Sequence, residues 1–300
     1  MKFSFVSLVT KLTLATSVAG ALVGCDDPTY PTPASVTESS VGQARVLVVN
    51  AAPGSTSIGI MLDNLAFGSA LPYLGISTAT PFAAGQRLFI FNEPTNIPAT
   101  PVVTPPAPPA PAPAPLPVVT VARPLVSRTS FLGGTNYTVF LTDPPTRAYA
   151  AVITATSDQG GIRTVTLTDN LAAPADAMNA KIRFVNLAPT ATGGNTNYGI
   201  FNFLTRAPLF SAVPTRGYRS TANTTTTTPP VTTNFANFTE IAAGPYTLDV
   251  RSVAATPLVG TQLVVTLVAG KIYTLYTRGI AVGTANNGPT PLGISVVTHN

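Results

Sequence analysis

The side chains that most often carry out chemistry in proteins are scarce in this sequence. Among 300 residues there is one cysteine, Cys25, and one histidine, His299. A Ser–His–Asp or Cys–His arrangement would depend on His299 alone, and a zinc site needs three or four His, Cys or carboxylate ligands. We therefore interpret His299 as a solvated or strand-edge residue, and we predict no catalytic residue, no metal site and no bound cofactor.

Carboxylates are the remaining candidates for acid–base chemistry. After Asp26 and Asp27 they are scattered, with no motif that pairs two of them: Glu38, Asp63, Glu93, Asp143, Asp158, Asp169, Asp176, Glu240 and Asp249. A glycosidase needs two carboxyl groups about 5–10 Å apart, and a calcium loop needs an Asp-x-Asp run. Isolated acids of this kind usually lie in Asx turns on the solvated surface. A hydrolase that uses two converging carboxylates stays open as an alternative.

Two tyrosines, Tyr137 and Tyr273, occupy matching positions in two segments that resemble each other. An aromatic platform for sugars is one interpretation of such a pair. Packing in a core or against a neighbouring strand is the interpretation we favour, because aromatic residues are ordinary constituents of strands. A carbohydrate-binding module is thus a second hypothesis for the function.

Cys25 fits a role outside catalysis. Lys2 and Lys11 precede an uncharged, mostly apolar run over positions 12–24. The length of this run suits the hydrophobic region of a signal peptide and falls short of the about 20 residues that span a membrane. The run ends in Leu-Val-Gly before Cys25, which resembles the bacterial lipobox. The sequence predicts a cleaved lipoprotein signal peptide over 1–24 and lipid attachment at Cys25.

Lipidation at Cys25 would make a membrane the first partner of the protein. One acyl chain binds a bilayer marginally, at about 0.8 kcal/mol per buried methylene, whereas several chains hold it stably. Asp26 and Asp27 resemble an inner-membrane retention signal of enteric lipoproteins and also a surface-export signal of Bacteroidetes lipoproteins. We expect a cell-envelope location at the outer membrane, on either its periplasmic or its surface-exposed face. The Pro/Ser/Thr-rich remainder of residues 25–42 is predicted to be a flexible tether.

Composition excludes several classes of protein. Charged residues make up 9% and hydrophobic residues 45% of the chain, against about 25% charged in typical domains, so a charge-rich disordered chain is excluded. The net charge of +5 contains no cluster of five lysines and arginines, and we expect no nucleic-acid partner. Abundant β-branched residues and turn formers favour an all-β fold. With a single cysteine, intrachain disulfides are impossible and stability must come from the cores.

The chain after the tether contains an internal repeat. Four blocks recur in the same order: 44–53 with 180–189, 82–85 with 241–244, 134–139 with 270–275, and 167–170 with 297–300. The first and third blocks are separated from their copies by the same number of residues, whereas the second block is separated from its copy by more. Repeat two therefore has extra residues before its second block, and repeat one has a similar number of extra residues after its own. The excess coincides with a Pro/Ala-rich stretch, 94–117, and a Thr-rich stretch near 211–234. Both are predicted to be loop insertions, which a scaffold tolerates easily.

Alternating polarity predicts strands in both repeats. Apolar residues at 246, 248 and 250, and at 182 and 184, alternate with polar ones, so Arg183, Asp249 and Arg251 are expected on exposed faces. Further strands are predicted at Tyr137–Leu141, Tyr149–Thr154, Thr164–Thr168, Gln262–Leu267, Ile272–Thr277 and Gly293–Val297. Gly85 and Gly244 each precede a strand and are expected to supply a turn that other residues adopt poorly.

The repeated blocks resemble the family called domain of unknown function 4397. The resemblance rests on Phe-Val-Asn-Leu-Ala-Pro at 184–189, Ala-Gly-Pro-Tyr-Thr-Leu at 243–248 and Ala-Gly-Lys-Ile-Tyr-Thr-Leu at 269–275. Repeat one matches the first block and departs at Gln86 and Arg87, where the tyrosine is absent. The resemblance implies two tandem immunoglobulin-like β-sandwich domains, over 43–172 and 180–300, and it carries over no catalytic residue or ligand.

Together these patterns predict a non-enzymatic, lipid-anchored protein of the cell envelope with a structural or interaction role. Its expected partners are the membrane, through the lipid anchor, and an envelope protein or glycan. A carbohydrate-binding surface module and a carboxylate hydrolase are the alternatives.

Overall fold

The computed structural model describes residues 42–92, 94–97, 119–122, 125–147, 161–189, 196–252, 261–280 and 290–299, with 94–97 and 119–122 described as backbone only. These residues form strands, turns and extended segments, and none of them lies in a helix. The prediction of an all-β fold built from two tandem β-sandwiches is confirmed.

Repeat one contributes the first eleven strands of the described residues. They are β1 (Gln43–Asn50), β2 (Ser57–Leu62), β3 (Leu65–Ala66), β4 (Leu71–Pro72), β5 (Thr80–Ala83), β6 (Gly85–Asn92), β7 (Pro94–Ile97), β8 (Val119–Ala122), β9 (Leu125–Phe131), β10 (Asn136–Thr142) and β11 (Arg163–Asp169).

Repeat two contributes nine further strands. They are β12 (Asn179–Asn186), β13 (Tyr198–Asn202), β14 (Ala222–Thr224), β15 (Thr232–Asn234), β16 (Thr239–Ala242), β17 (Gly244–Ser252), β18 (Leu263–Leu267), β19 (Ile272–Arg278) and β20 (Gly293–Thr298).

The two repeats share one strand arrangement. Repeat one has a sheet in the order β11-β10-β1-β5 opposite a sheet β3-β2-β6-β9, with β4 also paired to β2. Repeat two has β16-β12-β19-β20 opposite β13-β17-β18. In both, the first strand pairs in parallel with the penultimate one, and the registers Val46↔Tyr137 and Ile182↔Tyr273 are equivalent. The sequence repeat is therefore a repeat of topology.

Each sandwich buries its own apolar core between its two sheets. The core of repeat one is rich in aromatic rings, with Phe67, Phe82, Phe89, Phe131 and Tyr137 meeting edge to face at centroid distances of 4.9 to 6.2 Å. Such pairs contribute about 0.5–1.5 kcal/mol each beyond the area they bury. The core of repeat two is mainly aliphatic, and Leu248, Val250 and Leu275 are fully buried in it.

The matching tyrosines serve the same purpose in both cores. The Tyr137 hydroxyl accepts a hydrogen bond from the backbone N–H of Leu132 at 2.9 Å, and the Tyr273 hydroxyl accepts one from Val268 at 3.0 Å. Each bond ties the start of a strand to the corner just upstream of it, as in the tyrosine corner of Greek-key sandwiches. The prediction that these tyrosines pack in the core is confirmed.

The Asn-x-Ala-Pro block closes one end of each sandwich. The side-chain carbonyl of Asn50 accepts a bond from the Ala52 N–H, and its amide donates to the Leu71 carbonyl at 3.0 Å. Asn186 does the same with Ala188 and with the Arg216 carbonyl at 2.9 Å. Both asparagines are fully buried, so every bond matters to stability. This block of the repeat is explained by a structural role.

Two glycines supply the backbone geometry that the sequence predicted. Gly85 has a φ of 111° and Gly244 a φ of 148°, and an added Cβ would meet nothing within 4 Å at either position. The requirement is therefore conformational rather than steric.

The described ends of the two insertions contain more structure than the predicted loops. Residues 94–97 form strand β7, which pairs with β8 in a two-stranded ribbon that follows the β6–β9 pair; residues 98–118 lie outside the described part. In repeat two, Arg216 of the insertion is buried, as are Phe210 and Phe235, which flank the predicted bounds, so both ends of the insertion are attached to the sandwich. The predicted strand Tyr149–Thr154 lies outside the described residues.

Candidate functional site

The two sandwiches are joined by the outer faces of their four-stranded sheets. Alternate residues of β1 and β10 point away from the first core and pack against their counterparts on β12 and β19. The contact between the two repeats is called the inter-repeat interface. Its apolar part is a cluster that contains Val49, Ala51, Phe140, Val165, Leu167, Val185, Leu187, Ala236, Tyr276 and Val297. Every member of this cluster is buried. Strands β1, β10, β12 and β19 therefore have apolar residues on both faces, one face in a core and the other in this cluster.

Equivalent residues of the two repeats meet in this interface. Phe140 and Tyr276 are related by the same displacement as the first and third repeated blocks, and their rings lie 5.3 Å apart between centroids. Asp169 and His299 occupy the same place in the fourth repeated block, and Asp169 Oδ2 lies 3.9 Å from His299 Nδ1. Contact between equivalent residues is the pattern of an isologous, two-fold interface. The repeats thus pack as two subunits of a homodimer would.

Arg183 is the centre of the polar part of the inter-repeat interface. Its Nη2 lies 2.5 Å from Asp169 Oδ1 in repeat one, and its Nη1 donates to the Thr168 carbonyl at 2.9 Å. Its Nε donates to Thr274 Oγ1 at 2.8 Å, and the guanidinium lies over the Phe238 ring at 4.5 Å. The side chain is fully buried. The prediction that Arg183 lies on an exposed face is wrong.

His299 completes this polar cluster. Its Nε2 lies 2.7 Å from Thr274 Oγ1. Thr274 Oγ1 also accepts from Arg183 Nε, so one hydroxyl group joins the arginine and the histidine, while the other ring nitrogen of His299, Nδ1, faces Asp169. Burial lowers the pKa of His299 from 6.5 to about 4, against the opposing effect of Asp169. The interpretation of His299 as solvated is wrong, because residues from both repeats enclose its side chain. Its interpretation as a strand-edge residue agrees with the structure, since it directly follows β20, the edge strand of its sheet.

A buried ion pair of this type holds a geometry more than it adds stability. Replacing both partners by apolar groups is often neutral, but removing one partner leaves an uncompensated charge and costs about 3–5 kcal/mol. Asp169 also accepts from Thr138 Oγ1 at 2.7 Å, so its carboxylate is engaged from both repeats. The pair makes one relative placement of the two sandwiches strongly preferred.

A second polar contact joins repeat one to the insertion of repeat two. Asp143 is 1% exposed at its side chain and makes a two-point ion pair with Arg163, at 2.7 and 3.0 Å. Arg219 of the insertion donates to the Thr164 carbonyl at 3.0 Å. Burial, and next the Asp143 charge, raise the pKa of Tyr218 well above its usual value. The insertion is thus fastened to both repeats.

The other described carboxylates are also engaged. Asp249 is buried and pairs with Arg251 two positions along β17, at 3.0 Å, so both lie on a covered face and not the exposed one we predicted. Asp63 pairs with Arg87 at 3.0 Å. Glu240 accepts from the backbone N–H of Ala175, which is the main cause that lowers its pKa.

The expectation of isolated, solvated acids is therefore wrong for Asp143, Asp169 and Asp249. Glu38, Glu93 and Asp158 lie outside the described residues, as do Asp26 and Asp27. Within the described ranges, no group of three or more His, Cys, Asp or Glu side chains could hold a metal ion. The described part of the chain also contains no helix that could span a membrane. Cys25 lies outside the described residues, and its lipidation stays a prediction.

Arg216 fastens the insertion to the second core. Its guanidinium lies over the rings of Phe235, Phe210 and Phe184 at 4.2, 4.6 and 5.4 Å, and it donates to the Phe184 carbonyl. The side chain is nearly fully buried, and burial lowers its pKa to about 10. Three aromatic faces replace part of the hydration that the charge loses. The composition of the Thr-rich stretch gave no signal for this contact.

Comparison with known proteins gives little beyond this geometry. No protein-family model and no curated protein matches the chain. A solved structure of a candidate cell adhesion protein from Bacteroides eggerthii is 10% identical, covers 86% of this chain and 95% of its own, and has a TM-score of 0.19. A TM-score of that size carries no argument about function.

Proposed function

We propose that this chain is a non-enzymatic, lipid-anchored protein of the cell envelope, in which two β-sandwiches form one rigid module with a structural or interaction role. The observation that carries the proposal is the inter-repeat interface, where Arg183 and Asp169 are buried between the repeats. Two domains that move independently would expose such a pair to water in most orientations. A fixed pair of sandwiches suits a protein that has a structural role in the cell envelope or that displays a binding segment there.

The use of the ionisable groups supports a non-enzymatic role. General acid–base catalysis needs a group that is free to exchange a proton with substrate. Asp143, Asp169 and Asp249 are instead buried against arginines, and His299 is enclosed between the repeats. Burial is the main cause that lowers the pKa of His299, and structural burial shifts pKa values as well as catalytic surroundings do.

The placement of two segments of repeat one fits a protein that is attached at one end and displays a segment at the other. Gly42, the first described residue, packs against Gly133 beside the Gly85 end of the β6–β9 pair. The β7–β8 ribbon follows the other end of that pair in the chain. Gly42 and the start of the ribbon therefore lie at opposite ends of the β6–β9 pair.

The burial of the two matching tyrosines argues against the glycan-binding alternative. Tyr137 and Tyr273 are buried, and their hydroxyl groups bind backbone N–H groups of their own corners. A sugar platform would need these rings exposed.

Membrane fractionation tests the proposal. The whole chain is produced beside a Cys25→Ala variant and a Ser39→Ala control in the same segment, and intact cells are then treated with protease. We expect the wild type and the control to pellet with membranes and the Cys25→Ala variant to be released. Equal membrane attachment of all three would refute lipid anchoring at Cys25.

A further inference from the structure

The Thr-rich hairpin β14–β15 has a composition that its fold does not require. Between positions 221 and 233 most residues are threonine, two are proline and none is charged. Most of the segment is exposed, and only Thr225 and Thr233 of its threonines are partly covered. A surface hairpin of this size is normally built from mixed and charged residues.

The hairpin is held in place by residues outside the threonines. Phe210 and Arg216 before it, and Phe235 and Ala236 after it, are buried against the second sandwich. These two anchors fix both ends of the protruding segment. The threonine side chains are therefore not needed to attach it.

The threonine hydroxyl groups bond locally where they bond at all. Thr224 Oγ1 lies 2.9 Å from Thr232 Oγ1, and Thr225 Oγ1 lies 2.6 Å from Thr227 Oγ1. Among the described residues, no hydrogen bond from these side chains reaches the sandwich. Thr226 and Thr228 are exposed on the turn. Their hydroxyl groups are accessible from solvent on a protruding loop.

We infer that this hairpin is a site of O-glycosylation, modified by a transferase that uses an activated sugar. The inference rests on the proposed envelope location, since that is where the chain would meet such an enzyme or pass it during export. Uncharged, proline-flanked threonine clusters are the composition of O-glycosylated segments. The first sites are Thr226 and Thr228.

The transfer step requires only groups that the enzyme and its donor supply. A threonine Oγ1 attacks the anomeric carbon of a sugar diphosphate, carried on a nucleoside or a polyprenyl lipid. The new bond joins Oγ1 to that carbon, and the bond from the carbon to the phosphate oxygen breaks. The diphosphate leaves with the electron pair, and the hydroxyl proton passes to a base of the transferase.

Peptide mass spectrometry on protein from the cells that naturally make it tests this inference. Trypsin would release residues 220–251 as one peptide, since no lysine or arginine lies between Arg219 and Arg251. We expect that peptide to carry hexose or aminohexose mass increments that β-elimination removes. Peptide 252–271, with the exposed strand residue Thr266, serves as the internal control and is expected at its unmodified mass.

The variant Thr226→Val/Thr228→Val is expected to lose at least half of the added mass on peptide 220–251, whereas Thr266→Val should leave it unchanged. Membrane attachment is measured on the same fractions, so the two proposals can fail separately. An anchored protein whose peptide 220–251 has its unmodified mass would overturn the glycosylation site and leave the proposed function standing. Equal increments on peptide 252–271 would overturn the selectivity for the hairpin.

Discussion

Leu47 and Arg183 occupy the same position in the first strands of the two repeats, and both side chains lie at the inter-repeat interface. Leu47 packs against the apolar cluster, whereas Arg183 forms the buried pair with Asp169. The interface is thus two-fold in its apolar contacts and asymmetric in its charge. Leu47 in repeat one corresponds to Arg183 in repeat two, and Asp169 corresponds to His299, so the charged groups of the interface differ between the repeats.

Removing Arg183 should strongly destabilise the protein. The Arg183→Leu variant leaves the Asp169 carboxylate buried without its partner, and we expect a loss of about 3–5 kcal/mol in the free energy of unfolding. Urea unfolding followed by far-UV circular dichroism measures it. The double variant Arg183→Leu/Asp169→Leu should recover most of the loss, because no lone charge is left.

The matched control for that experiment is Arg87→Leu. Arg87 and Asp63 form an ion pair at 3.0 Å on the exposed surface, and such pairs contribute at most about 1 kcal/mol. If Arg87→Leu and Arg183→Leu lower the free energy of unfolding by the same amount, the buried ion pair contributes no more than the exposed one.

Acid should weaken the protein through His299. Its pKa falls from 6.5 to about 4 in the folded state, so between these values the unfolded chain binds more protons than the folded chain. Stability is therefore complete above about pH 6.5 and decreases as the pH falls towards 4, by on the order of 3 kcal/mol. Unfolding free energies at pH 7 and pH 4.5 measure the slope.

The lowered pKa of Glu240 gives a further loss of stability at acid pH, so a second variant is needed to separate the effect of the histidine. The variant His299→Gln keeps a side chain that can bond Thr274 and does not titrate. We expect its stability to change less than that of the wild type between pH 7 and 4.5. Identical slopes in the two proteins would show that His299 does not titrate as its burial requires.

The tyrosine corners should contribute equally in the two repeats. Tyr137→Phe and Tyr273→Phe each remove the acceptor of one backbone N–H, and we expect each to cost about 1–2 kcal/mol. The control Tyr246→Phe removes an exposed hydroxyl that donates to the Ala242 carbonyl and should cost less than about 0.5 kcal/mol, the usual limit for surface substitutions. Thermal unfolding of the three variants compares them, and a Tyr246→Phe effect as large as the others would argue against the corner.

Loss of Arg216 should release the Thr-rich insertion. In Arg216→Ala the three phenylalanine faces lose their cation, and we expect a cost of about 2–4 kcal/mol together with faster cleavage by trypsin at Arg219. The control Arg128→Ala removes an exposed arginine from β9 and should leave the cleavage rate unchanged. Unaltered proteolysis of Arg216→Ala would mean that other contacts hold the insertion.

Local pattern was sufficient to predict the repeat and part of the strands, among them β10, β11, β12 and β17 to β20, whereas β2, β9 and β13 were not predicted. The spacing of apolar residues, the glycines at 85 and 244, and the block offsets all act over short distances or compare one repeat with the other. The same information predicted that Tyr137 and Tyr273 are in the cores, because strand propensity and burial agree there.

The inter-repeat contacts could not be predicted in this way. The alternation of apolar and polar residues along β12 and β17 predicts that one face of each strand is buried. The opposite face is exposed to solvent only if no other part of the chain covers it. Arg183 bonds to Thr274, 91 positions away, and to Thr138, 45 positions away. His299 depends on Asp169 of the other repeat. A charged residue on a strand gives no sign that a second sheet will cover it.

The parallel pairing of β1 with β10 has a consequence for how the chain acquires its fold. Val46 pairs with Tyr137, far along the chain, so the first sandwich cannot close until its tenth strand has been made. Pairings this distant fold slowly, because the chain must lose the entropy of a long loop before contacts repay it. For the exported protein proposed above, a first sandwich that stays open until most of repeat one has been made would suit passage through a secretion channel, which conducts unfolded polypeptide.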